Sequence, residues 1–183
     1  MHTNSLKLLA PVAVAGLLAS GLASAASDGT LGLTSTGTLD ITVTKGDMAL
    51  ITKLDDIALG TFSTWGVGDG NLTGNDDVCV FATTANYIVT AESANSSGTD
   101  FRLSDSGGTN FITYTVTWDD GPGGAFALSE GTASGPQVPH TEQDCGGALS
   151  TNATVAVSIS EANMIAAASG IYSDTLTLLI APQ

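Results

Sequence analysis

Apolar side chains recur at every second position in short bursts, and clusters of turn-forming residues separate the bursts. Leu39, Ile41 and Val43 alternate with Thr38, Asp40, Thr42 and Thr44. On an extended backbone this places three apolar side chains on one face and the polar ones on the other. Ile57 and Leu59 open a run that ends at Phe62, and Val78, Val80 and Ala82 alternate around Cys79. Tyr87, Ile88 and Val89 follow after a polar break, and apolar runs at 101–103, 111–118, 155–159 and 172–180 continue the series. Gly-, Asn-, Asp- and Ser-rich turn clusters lie at 66–74, 95–98, 105–110, 119–124 and 131–139. Seven or more short strands punctuated in this way predict an all-β sandwich. Only residues 161–168 read as helical, for one or two turns.

The N-terminus has a different character. Lys7 precedes an apolar and small-residue run from Leu8 to Leu22, followed by Ala23-Ser24-Ala25. A charged start, a short apolar centre and small residues at a cut site are the order of a secretory signal peptide, with cleavage expected after Ala25. The alternative is a membrane anchor, but about 15 apolar residues fall short of the roughly 20 that span a bilayer. No membrane insertion is expected elsewhere. Removing residues 1–25 leaves 158 residues, the size of one domain. In an oxidising compartment, the two cysteines, Cys79 and Cys145, read as a disulfide rather than a metal site. Closing that loop is worth about 4 kcal/mol on the chain-entropy view.

Charge excludes one class of partner. All 18 acidic residues follow the expected cut, against Lys45, Lys53 and Arg102, so the processed chain carries a formal charge of −15. Such a surface repels phosphate backbones and has no Lys/Arg cluster to displace counterions, so no nucleic-acid binding is expected.

The catalytic inventory is thin, and no enzyme is expected. His140, beside Pro139, is the only histidine after the leader, and no Gly-x-Ser-x-Gly elbow accompanies it. Asp119 with Asp120, and Asp76 with Asp77, are adjacent acids of the kind common in turns rather than a separated glycosidase pair. The acidic and amide set Asp69, Asn71, Asn75, Asp76 and Asp77 offers oxygen ligands for Ca²⁺, but its spacing departs from a twelve-residue calcium loop and reads as a solvated loop. The glycine-rich stretch 66–71 has no strand-to-helix context for phosphate binding, so no cofactor is expected. Trp65 and Trp118 are candidates for stacking on sugars, and Trp118, at the end of an alternating strand, fits a core position better. Acceptor triplets for glycosylation occur at Asn71, Asn95 and Asn152.

The C-terminal segment Gly170-Ile171-Tyr172-Ser173-Asp174-Thr175-Leu176-Thr177-Leu178 resembles the ending of spore coat U domains and of pilins from archaic chaperone-usher systems. Weaker matches lie in register along the chain. They are Gly37-Thr38-Leu39-Asp40-Ile41-Thr42-Val43, Leu59-Gly60-Thr61-Phe62, Val78-Cys79-Val80 and Asn110-Phe111-Ile112-Thr113-Tyr114-Thr115-Val116. Together they span about residues 35–180. Two features depart from the family pattern: Asp47-Met48-Ala49-Leu50 stands where an early cysteine is usual, and an Arg-rich segment is reduced to Arg102.

The resemblance implies an immunoglobulin-like, pilin-type sandwich that lacks one strand and is completed by donor-strand exchange. Residues 26–44 would be the N-terminal extension and 45–183 the sandwich domain, unless 38–44 form the domain's own first strand. The donor is either Leu31 and Leu33 alone or a longer strand that includes Leu39, Ile41 and Val43. Two leucines bury only about 3 to 6 kcal/mol of apolar surface, which favours the longer strand. The acceptor groove would include Tyr172, Leu176, Leu178 and Ile180 of the C-terminal strand. Implied partners are copies of the chain or related pilins in a head-to-tail polymer, a periplasmic chaperone and an outer-membrane usher. Implied localisation is the periplasm in transit, then an extracellular surface fibre serving adhesion, biofilm or coat. The alternative function is a secreted adhesive or carbohydrate-binding β-sandwich that completes itself.

Overall fold

The computed structural model describes residues 26–62, 68, 70–121 and 123–183. The expected leader 1–25, Trp65 and Asp69 lie outside the described residues. The chain divides into two units, Met1–Lys45 and Gly46–Gln183.

The described part of the first unit holds one antiparallel bridge, Ser27 to Thr38, with both hydrogen bonds at 2.9 Å. The strand expected over 38–44 is not formed there: Leu39, Ile41 and Val43 are 69%, 88% and 94% exposed. An alternating segment holds an extended form only when a neighbouring strand takes up its backbone groups and a core takes its apolar face. Leu31 and Leu33 are fully exposed.

The second unit is the sandwich. Its strands are β1 (Ala49–Thr52), β2 (Leu72–Ala82), β3 (Tyr87–Ser93), β4 (Phe101–Asp105), β5 (Phe111–Asp119), β6 (Phe126–Ala127), β7 (Ala153–Ile159), β8 (Tyr172–Ser173) and β9 (Leu176–Pro182), with helix α1 at Glu161–Ala166. One antiparallel sheet runs β1-β2-β7-β5-β4-β8, with β6 added beside β5, and the other pairs β3 with β9. Residues 128–140 form a strap along the remaining edge of β3: Gly131, Ser134 and Gln137 donate to the carbonyls of Ala91, Val89 and Tyr87 at 2.7–2.9 Å. The core fills from both layers. Val78, Val80, Val116, Trp118, Val155 and Ile159 on one sheet meet Tyr87, Val89 and Ala91 on the other. Trp118 is fully buried, edge-on to Tyr87 with ring centroids 6.4 Å apart, and its Nε1 donates to the Tyr87 hydroxyl at 3.1 Å. The core role is therefore the one it plays. Among the described residues no helix is long and apolar enough to cross a membrane.

Four sequence expectations are corrected. Residues 72–74 belong to β2 rather than to a turn, and Asn75, Asp76 and Asp77 continue that strand opposite Ala156, Val155 and Thr154 of β7. Polar residues with poor strand preference are carried here by the ladder and by side-chain bonds, with Asp77 accepting from Thr154 Oγ1 at 2.6 Å. Alternation sends Asp76 and Asp77 to opposite faces, so Asn75 to Asp77 are strand where a solvated loop was expected. Residues 57–62 form no strand: the chain lies over the inner face of β2, and a Cβ on Gly74 would stand 2.6 Å from Ile57 Cγ2 and 2.9 Å from Leu59 Cδ2. The single run at 172–180 is broken into β8 and β9, because the chain there passes from one sheet to the other.

Candidate functional site

The antiparallel register of β3 and β9 pairs Leu176 with Ser93, Leu178 with Ala91 and Ile180 with Val89. Val89 and Ala91 are 0% exposed and Ser93 6%. Their partners one ladder step away face the same core but are only half-buried. Cover is thus lost between two neighbouring strands on the same face. Thr175, Thr177 and Leu179 point outward, Leu179 at 59% exposure. β9 pairs with β3 alone among the described residues, so its other edge presents unpaired backbone groups.

A second open edge belongs to β1, the terminal strand of the larger sheet. Ala49 and Ile51 pair with the buried Ala82 and Val80, face the core and are likewise half-buried. β1 lies against β9, with Cα atoms within 8 Å. That meeting is at the end of the sandwich where β2 passes to β3, since Ala49 pairs with Ala82 and Tyr87 with Pro182. Toward the other end the chain beyond Thr52 leaves the sheet, and a cleft of about 800 Å³ opens. Ile57, Leu59 and Phe62 form one wall, Leu103, Ile112 and Ile159 line the cleft from the core strands, and residues 164–165 and 167–174 complete it. Tyr172 and Asp174 in that lining begin the half-buried row that Leu176, Leu178 and Ile180 continue.

Local chemistry fixes both walls. Asp55 N donates to Asp76 Oδ2 at 2.8 Å, tying the first wall to β2. The crossing from β8 to β9 is pinned by Asp174, which accepts from Tyr114 Oη at 2.6 Å and from Asn95 Nδ2 at 2.9 Å. Burial, with the Asp174 carboxylate beside it, pushes the Tyr114 phenol well above its ordinary range. Ser160 caps α1 by accepting from Asn163 N, and Asn163 Nδ2 reaches back to Thr113 O at 2.9 Å, which anchors the residues leading into the second wall.

The remaining candidates are placed as follows. Cys79 and Cys145 form the disulfide, with Cα atoms 5.8 Å apart. Asp119 accepts from Gly121 N at 2.8 Å and holds a turn, while Asp120 accepts from Val138 N at 2.7 Å and ties the strap to the end of β5. His140 Nδ1 lies 3.0 Å from Glu142 N in an exposed turn. Asn152 clamps both backbone groups of Val80, Asn95 donates to Asp174 and Asn71 Oδ1 accepts from Glu161 N, so all three acceptor triplets have their side-chain amides engaged. Sequence reading missed β1, the strap at 128–140 and the role of Gly74. The Val80 and Ala82 alternation implied a partner strand without saying which residues supply it.

No family model and no curated protein matches the chain. Among solved structures, the chain is similar to one from a chaperone-tip adhesin complex vital for synergistic activation of CFA/I fimbriae biogenesis. The TM-score is 0.52 at 14% identity, over 74% of this chain and 41% of that one. This chain thus spans about two-fifths of that neighbour's length. At that identity the likeness is one of fold, and with the two-layer arrangement it shows a pilin-type β-sandwich.

Proposed function

We propose that the chain is a non-catalytic subunit of a secreted surface fibre, of the spore coat U and archaic pilin type, that polymerises by accepting a strand from a neighbouring copy. The loss of cover between β3 and β9 carries this reading. A donor strand placed at the β9 edge would pair its unbonded backbone groups and cover Leu176, Leu178 and Ile180. The fimbrial complex named above supports it at the level of fold. A periplasmic chaperone holding the open edge, and an usher exporting the subunit, follow from the same need to cover that edge before assembly.

The donor is residues 26–44. Leu31, Leu33, Leu39, Ile41 and Val43 all have odd numbers, so one uninterrupted strand places all five on one face. Leu39 to Val43 spans about 14 Å, the same as Leu176 to Ile180, at roughly 3.4 Å per residue. Three large aliphatic side chains bury about 5 to 9 kcal/mol of transfer free energy, against about 3 to 6 for Leu31 and Leu33 alone. A strand inserted between two others needs about 9.6 Å, so seating a donor along all of β9 moves β1 outward from its present approach within 8 Å.

Deleting residues 26–44 is expected to abolish polymerisation while leaving a folded subunit that a chaperone binds. Filaments seen by electron microscopy from the deletion variant would refute the proposal.

A further inference from the structure

Lys53 sits where β1 ends and the cleft-lining segment begins, with a φ of 65° that is unusual for a residue other than glycine. Its ammonium is bonded to backbone carbonyls at a partly exposed position. Nζ donates to the carbonyl oxygens of Asp144 at 2.9 Å and Gly147 at 2.7 Å, and to that of Ser150. Three donors on one nitrogen meet three acceptors, which satisfies the group completely. The carbonyls converge because the loop that carries them is sharply folded, with φ of 56° at Cys145 and 80° at Gly146. Cys145 bonds the loop covalently to Cys79 of β2, and Cys79 is the residue opposite Thr52 in the β1–β2 ladder. Lys53 therefore fastens the exit of β1 to the disulfide loop, two residues before Asp55 engages Asp76 and four before Ile57 enters the cleft wall.

We infer that Lys53 is a positioning residue for the acceptor cleft: its caged ammonium fixes the origin of the wall formed by residues 57–62, and losing the cage weakens donor binding in a protein that stays folded. This rests on the donor-strand reading. The geometry also links the two cysteines to the cleft, since the loop that the disulfide pins supplies all three carbonyls.

The test uses the processed chain at nanomolar concentration and a fluorescent peptide of residues 26–45, with circular dichroism confirming the fold at the temperature used. Lys53→Met is expected to raise the peptide Kd by about tenfold. Aminoethylation of Lys53→Cys, which rebuilds an ammonium at nearly the same reach, is expected to restore it. Should Lys53→Met fail to fold, Lys53→Arg serves instead, because a planar guanidinium does not seat in a three-carbonyl cage, and the same weakening is expected. Unchanged affinity in the folded variant, or no recovery on aminoethylation, overturns the inference. Failure of the peptide to bind the unaltered chain overturns the donor reading itself, a separable result.

Discussion

Leu178→Ala and Val89→Ala should separate an open edge from an ordinary core. Both side chains face the same interior, but Val89 is fully enclosed by the subunit while Leu178 is covered only in part. Truncating an enclosed leucine costs about 2 to 5 kcal/mol. With about a third of its surface at most left open, Leu178 costs roughly 1.3 to 3.3 kcal/mol in the subunit alone, and about 0.7 to 1.7 kcal/mol appears only once a donor strand completes its burial. That deferred part is lost from donor affinity, a weakening of about 3- to 18-fold. Val89→Ala costs about 2 to 3 kcal/mol in the subunit and leaves donor affinity within about twofold, since its surroundings are complete beforehand. Urea unfolding of the subunit gives the first quantity, and titration with a labelled peptide of residues 26–45 gives the second. If Leu178→Ala leaves peptide affinity unchanged, or Val89→Ala lowers it as much, β9 does not border the donor's seat.

Replacing Cys79 and Cys145 together by serine should lower stability by about 4 kcal/mol, since the bond closes a loop of 66-residue separation; urea unfolding checks it, with a lower midpoint and a larger m value because the unlinked denatured chain exposes more surface. Tyr114 and Tyr87 are both held neutral by burial, so their folded pKa values lie above the unfolded value of about 10. The stability this gives is fully present below pH 10 and is lost as pH rises beyond it; Tyr114→Phe should flatten part of that alkaline decline, and parallel pH profiles for variant and parent would contradict the assignment. Trp118→Phe removes the bond to the Tyr87 hydroxyl and leaves space in the core, for a loss of about 2 to 4 kcal/mol by thermal unfolding with near-ultraviolet dichroism.

Most of the sandwich strands were legible from their alternation, because period-two apolar spacing is what a half-covered ladder selects. Val78 to Ala82, Phe111 to Trp118 and Val155 to Ile159 all lie in strands with the expected faces inward. The pattern failed where tertiary pairing overrode composition. Residues 72–74 read as the end of a turn cluster and 75–77 as a solvated loop, yet β7 holds all six as a strand. The glycine that suggested a turn serves instead to admit Ile57 and Leu59 against the sheet. Alternation was also insufficient in the opposite sense: Leu39, Ile41 and Val43 carry the cleanest pattern in the chain and form no strand within it.

The site was legible in its residues but not in its state. Leu176, Leu178 and Ile180 repeat with the same spacing as Tyr87, Val89 and Ala91, and spacing reports which way a side chain points, not whether anything covers it. Cover depends on what lies beyond the strand's free edge, a property of the whole sheet order. The sequence marks the crossing into that edge more directly, through Asp174. A carboxylate between two short apolar strands has no reason in the alternation itself, and its bonds to Tyr114 and Asn95 show that it fixes where one sheet is left for the other. The ladder with β3 carries β9 along its length, and the point from which it starts is pinned by a polar residue that hydrophobic patterning passes over.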